Sequence, residues 1–321
     1  MEHRSTRDAS ASVQWVAVNA PAKLNLSLAI GPLKDDGFHE LATVFHAVDI
    51  FDTVTVTRCL KAERGVTINL DGVRGDVPSG ESNLAWRAAM LVAQRLDVDP
   101  DVHITIDKRI PIAAGLAGGS ADAAAAIAAC DELWDGNLDQ DEMIEIASLL
   151  GSDVAFALFG GTMLGVGRGE QLSPVLSRAN MRWVLAVSDE GLSTARVYAR
   201  LDELRSERST EFTPLDEATP MISALVSGDV ADIGAAMVND LQVAAIALRP
   251  RLRKTLTVGL EAGAVGALVS GSGPTCVFLA DGEGVAVDVS VALMSEGVCD
   301  RVLQARGPAS GALANITRGM L

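Results

Sequence analysis

The sequence predicts an α+β chain of two domains, and three observations carry that prediction. Its 321 residues exceed the roughly 100–200 that one domain holds. In the second half, helical patterns alternate with short strands, as in a two-layer α+β domain. In the first half, Gly115-Leu-Ala-Gly-Gly-Ser120 separates an alternating segment ending near Ile110 from an alanine-rich run, Ala121 to Ala129. That reads as strand, tight loop and helix. The first N–H groups of a helix lack partners inside it and sit at its positive end, so such a loop can cradle an anion. A glycine turn that only lets a helix pack against a sheet has the same local pattern. The break between domains is expected at the stretch 173–182, giving units 13–172 and 181–321 after a disordered tail, 1–12.

Hydrophobic residues make up 49% of the chain and aromatic ones 4%. The core is therefore built from Ala, Val, Leu and Ile, and is large enough to need neither disulfides nor structural metal. A net charge of −16 argues against a general nucleic-acid surface, which needs a basic face; a local basic patch could still hold a phosphorylated ligand. Cys59, Cys130, Cys276 and Cys299 form no C-x-x-C pair. They read as buried reduced thiols, which suits a cytoplasmic protein. The polar N-terminus lacks the apolar segment of a secretory signal, and no apolar run nears the roughly 20 residues of a membrane span.

Taken in order, Val13 to Ile30 opens the chain as a strand. Leu24, Leu26 and Leu28 alternate with Lys23, Asn25 and Ser27, which puts the two sets on opposite faces. Lys23 is then either solvated or aimed at a ligand. Lys34 to Glu40 is an Asp-Gly turn carrying Phe38 and His39. The pair either grips a flat ring or splits, with Phe38 plugging the core edge and His39 solvated. Asp52 to Arg58 and Val66 to Leu70 predict a hairpin. Ser82 caps a helix that runs to Leu96. Val102 to Ile106 alternates again and leaves His103 exposed. After the glycine loop a helix runs to about Trp134, and Asp141 to Leu150 is another, stopped by Gly151. Ser152 or Asp153 caps a short helix that follows. Gly160-Gly161 and Gly165-x-Gly167-x-Gly169 are turns between short strands. Trp183 to Ser188 is a strand, and Ser193-Thr194 caps the helix of Tyr198. Residues 202–220 are a surface connection. Helices then cover 220–226, 230–243 and 251–262. Gly263 to Ala280 is a strand, a glycine turn at Gly271-Ser-Gly-Pro-Thr275, and a strand. A helix at 285–295 and a last strand at 301–306 complete the pattern.

The chain has no G-x-x-x-x-G-K-[ST] loop and no H-R-D or D-F-G set, which excludes P-loop NTPases and protein kinases. Instead, Pro111-x-x-x-Gly-Leu-Ala-Gly-Gly-Ser-Ala121 resembles the glycine-rich phosphate loop of the GHMP kinases. Five further segments sharpen the resemblance: Ala20-Pro-Ala-Lys-Leu-Asn-Leu26, Asp36-Gly-Phe-His-Glu-Leu41, Asp107-Lys-Arg-Ile-Pro111, Gly151-Ser-Asp-Val154 and Gly271–Thr275. Together they are similar to the branch of that family acting on 4-diphosphocytidyl-2-C-methyl-D-erythritol. The likeness runs from about residue 15 to Leu321. It implies an N-terminal ATP-binding domain like the second domain of ribosomal protein S5, and a C-terminal ferredoxin-like sandwich. It also implies an ATP-dependent kinase for the 2-hydroxyl of that substrate, in the non-mevalonate route to isopentenyl diphosphate. The enzyme would be a monomer or weak homodimer, with no nucleic-acid or membrane partner.

Carried onto matching positions, the resemblance makes Lys23 and Asp153 the catalytic pair. ATP would lie over Pro111, Ile112, Ala113, Ala114, Gly115, Leu116, Ala117, Gly118, Gly119, Ser120 and Ala121, with Asn83 and Lys108 near the adenine. Asn25, Phe38, His39, Thr194 and Tyr198, with Gly271, Ser272 and Gly273, would hold the cytidyl substrate. Magnesium would ride mainly on the ATP phosphates, with Ser120 a further oxygen donor. Two departures stand out. Phe38 replaces the family's usual Tyr and loses a hydroxyl. Ala113, Ala114 and Ala117 stand where many members have Gly. The rival readings are a GHMP kinase for homoserine or a mevalonate-type alcohol, and a non-catalytic nucleotide-binding protein on the same fold. Retention of both Lys23 and Asp153 speaks against the last.

Overall fold

A computed structural model describes residues 14–34, 37–59, 65–72, 77–206 and 218–319. The expected tail 1–12, Asp35-Asp36 of the first turn, most of the 202–220 connection and the last two residues lie outside them.

Two antiparallel strands of unusual length frame the first sheet: β1 (Trp15–Leu33) and β2 (His39–Arg58). Their register shifts at Pro21/Ala22, Asn25/Ser27 and Ile30/Leu33. Such bulges bend a strand and re-aim its side chains, and here two of them flank Lys23 and Asn25. The bend lets each strand serve two neighbourhoods. The start of β2 pairs with β5 (Thr162–Gly167), and its end pairs with β4 (Val102–Asp107). Both faces of β1 are covered along the Lys23 stretch: Leu24 and Leu26 are fully buried, and so, to within a few per cent, are Lys23, Asn25 and Ser27. A solvated Lys23 is thereby excluded.

The expected hairpin of 52–58 with 66–70 does not form. β4 inserts between β2 and β3 (Val66–Asp71), antiparallel to the first and parallel to the second, so the order runs β1-β2-β4-β3. Hydrogen bonding from Thr67 Oγ1 and His103 Nδ1, 2.8 Å apart, crosses that parallel pair, so His103 is half-buried rather than exposed. The stretch expected as a linker begins as a strand, β6 (Gln171–Pro174), paired to β5.

Behind this sheet lies α2 (Gly118–Trp134), buried on all sides from Ala121 to Cys130. Its alanines let it approach α1 (Leu84–Leu96) and β1 closely. A helix apolar all round belongs in a core. α3 (Gln140–Leu150) starts with a capping box, Asp139 with Glu142, and leads into α4 (Ser152–Phe159).

The second sheet runs β11-β7-β10-β9, all antiparallel, from β7 (Met181–Val187), β9 (Gly266–Val269), β10 (Cys276–Ala280) and β11 (Arg301–Gly307). Period two divides its side chains. Val184, Ala186 and Phe278 face a cluster shared with α5 (Thr194–Ser206), α9 (Arg251–Glu261) and α10 (Glu283–Ser295). Trp183, Leu185, Val187 and Val277 join the core of the first unit.

Two crossings tie the units together. The expected single helix over 230–243 divides into α7 (Val230–Ala235), β8 (Val238–Asn239) and α8 (Leu241–Leu248), and β8 pairs with β1 in the first sheet. The chain then returns after β11, through β12 (Ile316–Gly319), which pairs with β1 at Trp15–Val18. Residues 316–319 therefore belong to the first sheet, which corrects the expected second unit of 181–321. Ala218 and Thr219 lead into α6 (Thr219–Ser227), close to the expected start.

Candidate active site

The glycine loop sits at the head of α2. Ala117 precedes the helix at φ +58 and gives no side-chain cap, so the first N–H groups of α2 lack a protein partner of the usual kind. Ala113 has φ +53. Left-handed alanines cost roughly 1–2 kcal/mol each, so this loop stores strain at the two positions where Gly would have carried none. Gly115, at φ +76, is a different case. A Cβ there would lie 2.5 Å from the Ser270 carbonyl and 3.0 Å from that of Gly273. The glycine loop and the turn 271–275 thus touch backbone to backbone, and Ser270 Oγ donates to the Gly115 carbonyl at 3.2 Å.

The loop walls a cavity of about 340 Å³. Pro111, Ile112, Ala113, Ala114, Gly115, Leu116, Ala117, Gly118 and Gly119 line it, with Asn83, Lys108, Val77, Pro78 and Asp122. Ser120 and Ala121 are not among its lining; they stand in the first turn of α2. Asn83, not Ser82, caps α1, accepting from Ala85 N at 2.8 Å and donating to the Pro78 carbonyl at 2.7 Å.

Lys108 is fixed as well. Its ammonium is 2.5 Å from Asp52 and 2.7 Å from Asp122, and all three side chains are buried. Asp52 also accepts from the backbone N–H groups of Arg109 and Ile110 at 2.6 and 2.8 Å, which anchors the strand-to-loop turn. Burial alone lowers the Lys108 pKa, but the two carboxylates outweigh it and the ammonium stays above its ordinary value. Asp122 moves from 3.8 to about 7, since burial penalises its charge more than Lys108 relieves it. A group whose folded pKa is raised binds more protons in the native state between those values, so its contribution to stability is lost as pH rises through that window. Asp122→Asn removes this titration. Its melting temperature, relative to the parent chain, is expected to rise steadily between about pH 4 and about pH 7 and to level off above that; thermal melts showing a constant difference would refute the assignment.

On the other side of the loop lies a second cavity, about 330 Å³, lined by Lys23, Asn25, Thr43, Asp153, Thr194, Tyr198, Gly271 and Ser272 among others. Lys23 Nζ donates to Asn25 Oδ1 at 2.7 Å, lies 3.6 Å from Asp153 Oδ2, and stands 5.4 Å from the Phe45 ring centre. Asn25 in turn donates to Thr43 Oγ1 at 2.8 Å, which donates to the Ser27 carbonyl. Asp153 is not a cap. Gly151 takes that position, and Asp153 sits in the first turn of α4, where the helix dipole favours its charge. Gly271, at φ +54, comes within reach of Lys23: a Cβ there would lie 3.7 Å from Nζ. Asn239 holds this turn by donating to the carbonyls of Val269 and Gly271 at 2.6 and 2.7 Å. Thr194 and Ser272 share a hydrogen bond of 2.9 Å, while Gly273 supplies backbone beside Gly115.

A third and wider cavity, about 1040 Å³, opens beyond, with Phe38, His39, Tyr198, Arg168 and Asp202 in its wall. The expected aromatic pair divides in an unforeseen way. His39 is the buried member: Nδ1 donates to the Gly31 carbonyl at 2.9 Å and Nε2 lies 3.3 Å from Asp202. Phe38 is half exposed, with the Arg168 guanidinium 3.7 Å over its ring. Tyr198 lies 5.4 Å from His39, ring to ring. Burial, and then the charge of Asp153, push its phenol up to about 12, so it is a neutral hydrogen-bonding group at any working pH.

Sequence reasoning missed Asp52, Asp122, Asn239 and Arg168. Three of them left a signal: an acid inside an alanine run, an Asn-Asp pair inside an apolar helical pattern, and a cation at the tip of Gly167-x-Gly169; Asp52, at the head of an alternating strand, left none. Cys130 and Cys276 are buried as expected, while Cys59 and Cys299 are half-buried; all four are free thiols. Among the described residues no helix is long and apolar enough to cross a membrane.

The model described as GHMP kinases N terminal domain matches residues 83–161, and that described as GHMP kinases C terminal matches 221–298. The 4-diphosphocytidyl-2-C-methyl-D-erythritol kinase of Mycolicibacterium gilvum is 48% identical over 317 residues, 96% of this chain and 97% of that one. The protein of the same name from Thermobifida fusca is 50% identical over 302 residues, 92% of this chain and 97% of that one. A crystal structure of a 4-(cytidine 5'-diphospho)-2C-methyl-D-erythritol kinase superposes with a TM-score of 0.74 at 30% identity, covering 92% of this chain and all of that one.

Proposed function

The chain belongs to the 4-diphosphocytidyl-2-C-methyl-D-erythritol kinases of the GHMP kinase family, and from that premise we propose that it transfers the γ-phosphoryl group of ATP to the 2-hydroxyl of 4-diphosphocytidyl-2-C-methyl-D-erythritol. The reaction is a step of the non-mevalonate route to isopentenyl diphosphate. One observation carries the reading: Gly115 and Ala117 line both the nucleotide-sized cavity and the cavity of Lys23 and Asp153. A phosphoryl group bound on the loop would face an alcohol beside the carboxylate, which is the alignment that phosphoryl transfer needs.

In this reading Asp153 orients the substrate hydroxyl and takes its proton as the oxygen attacks. Lys23 holds that carboxylate ionised and steadies charge on the transferred group. Asn25 and Thr43 keep the ammonium pointed, since Lys23 is one link of their hydrogen-bonded chain. The free N–H groups at the head of α2 hold the phosphates. Magnesium would ride mainly on the ATP phosphates, with the Ser120 hydroxyl in that first turn a hard oxygen donor of the kind it takes. Bound there, it would neutralise charge on the ATP phosphates. His39, Phe38 and Tyr198 would receive the cytosine, and the loss of the usual Tyr hydroxyl at Phe38 leaves stacking intact. The free thiols support a reducing, cytoplasmic setting, and we take the enzyme to act as a monomer or weak homodimer.

The test is ATP consumption with the diphosphocytidyl substrate, homoserine and mevalonate offered in parallel. Turnover is expected with the first alone. Tyr198→Ala is expected to raise the KM for that substrate by about tenfold or more while the KM for ATP stays within about threefold. A preference for homoserine or mevalonate, or equal KM effects, would reject the reading.

A further inference from the structure

The polar groups beside Lys23 fit together in one arrangement. Thr43, on β2, reaches Asn25 across the register shift between Asn25 and Ser27 of β1. Its hydroxyl has one proton and gives it to the Ser27 carbonyl at 2.8 Å, and a carbonyl can only accept. The hydroxyl oxygen is then an acceptor, so the Asn25 group 2.8 Å away must be the amide nitrogen. That turns Oδ1 toward Lys23, which donates to it at 2.7 Å. An amide flipped the other way would set its NH2 against the ammonium, donor against donor. Asn25, Ser27 and Thr43 are all buried. Gly271 closes the amide on a further side, since a Cβ there would lie 3.2 Å from Oδ1. The amide is thus walled in, and the freedom left to it is that flip.

The consequence lies in two distances. Lys23 Nζ is 2.7 Å from Asn25 Oδ1 but 3.6 Å from Asp153 Oδ2. The first is a charge-assisted hydrogen bond; the second is an ion pair too long to be one. Asp153 therefore keeps its oxygens open to an incoming hydroxyl. Were Lys23 bonded to it directly, one of them would be occupied. Asn25 is the group that competes for the ammonium, and Thr43 is the group that makes Asn25 an acceptor.

We propose that Thr43 is a positioning residue for the transfer: by fixing the orientation of the Asn25 amide it holds the Lys23 ammonium off the Asp153 carboxylate, which stays free to take the substrate proton. Thr43 does this without touching either reacting group. The assignment rests on the reading of Lys23 and Asp153 given above. It predicts that loss of the hydroxyl slows the chemical step and spares binding, because ATP lies over the glycine loop and the cytidyl end of the substrate with His39, Phe38 and Tyr198.

The experiment measures steady-state rates with ATP and the diphosphocytidyl substrate in the full chain, Thr43→Val, Thr43→Ala and Thr43→Ser, with Asp153→Asn run beside them. Thr43→Val keeps the shape and removes the hydroxyl; its kcat is expected to fall by about 10- to 100-fold, with both KM values within about threefold. Thr43→Ala removes the hydroxyl without adding a methyl group and should match it. Thr43→Ser restores the hydroxyl and should bring kcat back to within about threefold of the parent. Because Thr43 acts through Lys23, adding Thr43→Val to Lys23→Met should cost no more than about threefold further. A kcat within threefold of the parent in Thr43→Val and Thr43→Ala, beside a slow Asp153→Asn, would overturn this assignment alone. So would a Thr43→Ser as slow as Thr43→Val, or a further tenfold loss in the Lys23→Met background, since the side chain would then act by packing. A parent-like rate in Asp153→Asn would overturn the catalytic pair, and the Thr43 assignment with it.

Discussion

Asp153→Asn is expected to lower kcat by about 10²–10⁴-fold, the range over which a positioned acid or base contributes, and to leave a folded enzyme. The fold should survive because Asp153 is about a third exposed and, among the described residues, its close charge contact is Lys23, at 3.6 Å. An ion pair that open to water adds little to stability. The amide keeps the shape of the carboxylate and loses only its charge and its capacity to take a proton, so the KM for ATP should move by no more than about threefold. Lys23 needs a gentler probe. Its ammonium is the donor to buried Asn25 Oδ1, and truncation to Ala would strand that acceptor at a cost of about 1–3 kcal/mol. Lys23→Met strands the same acceptor but adds no cavity, since it keeps the aliphatic stem near Phe45, and it is expected to lose turnover to a similar degree. In the proposed mechanism the two groups act on one proton and one phosphoryl group, so the double variant should be little worse than either single one. Steady-state rates settle this. A kcat for Asp153→Asn within tenfold of the parent would remove Asp153 from the mechanism.

Much of this site was legible because its parts announce themselves locally. The alternation around Lys23 marks a strand, and glycines between that pattern and an alanine run mark a loop under a helix head. What was not legible is the third dimension. Alternation says that Lys23 and Leu24 face opposite ways; it does not say that both ways lead to protein, and here both do. The hairpin expected from 52–58 and 66–70 failed for the same reason. Consecutive strands are usually neighbours, but β4 arrives thirty-odd residues later and takes the place between them. The long helix expected over 230–243 broke where Gly234 meets Val265 backbone, with a Cβ there only 2.3 Å from its carbonyl oxygen, and where Asn239 turns aside to bind the 269–271 carbonyls. Helical periodicity across that stretch is real, yet a tertiary contact outweighs it. Short β12 left no pattern that sets it apart from a loop, and its place against β1 is set wholly by the sheet it completes.

The largest structural effect is expected at Lys108. The sequence resemblance placed it near the adenine; it lines the cavity beside the glycine loop, but its ammonium is committed to Asp52 and Asp122. Those three groups hold together the end of β4, the start of the glycine loop and the first turns of α2. Lys108→Met leaves two carboxylates in a place that water does not reach. Removing one partner of a buried ionic cluster costs about 3–5 kcal/mol, a large share of the roughly 5–15 kcal/mol that stabilises a domain. The melting temperature should fall by on the order of 10 °C. The KM for ATP should rise as the loop loses its anchor. Adding Asp122→Asn to Lys108→Met removes the carboxyl that is already the more reluctant to ionise. Asp52 would remain, held by the Arg109 and Ile110 N–H groups. The double variant should therefore regain part of the loss, a coupling of about 1–3 kcal/mol between residues in contact. Strict additivity in melts or denaturant titrations would mean that the two side chains do not share a charge balance, and that the loop is held up by packing alone.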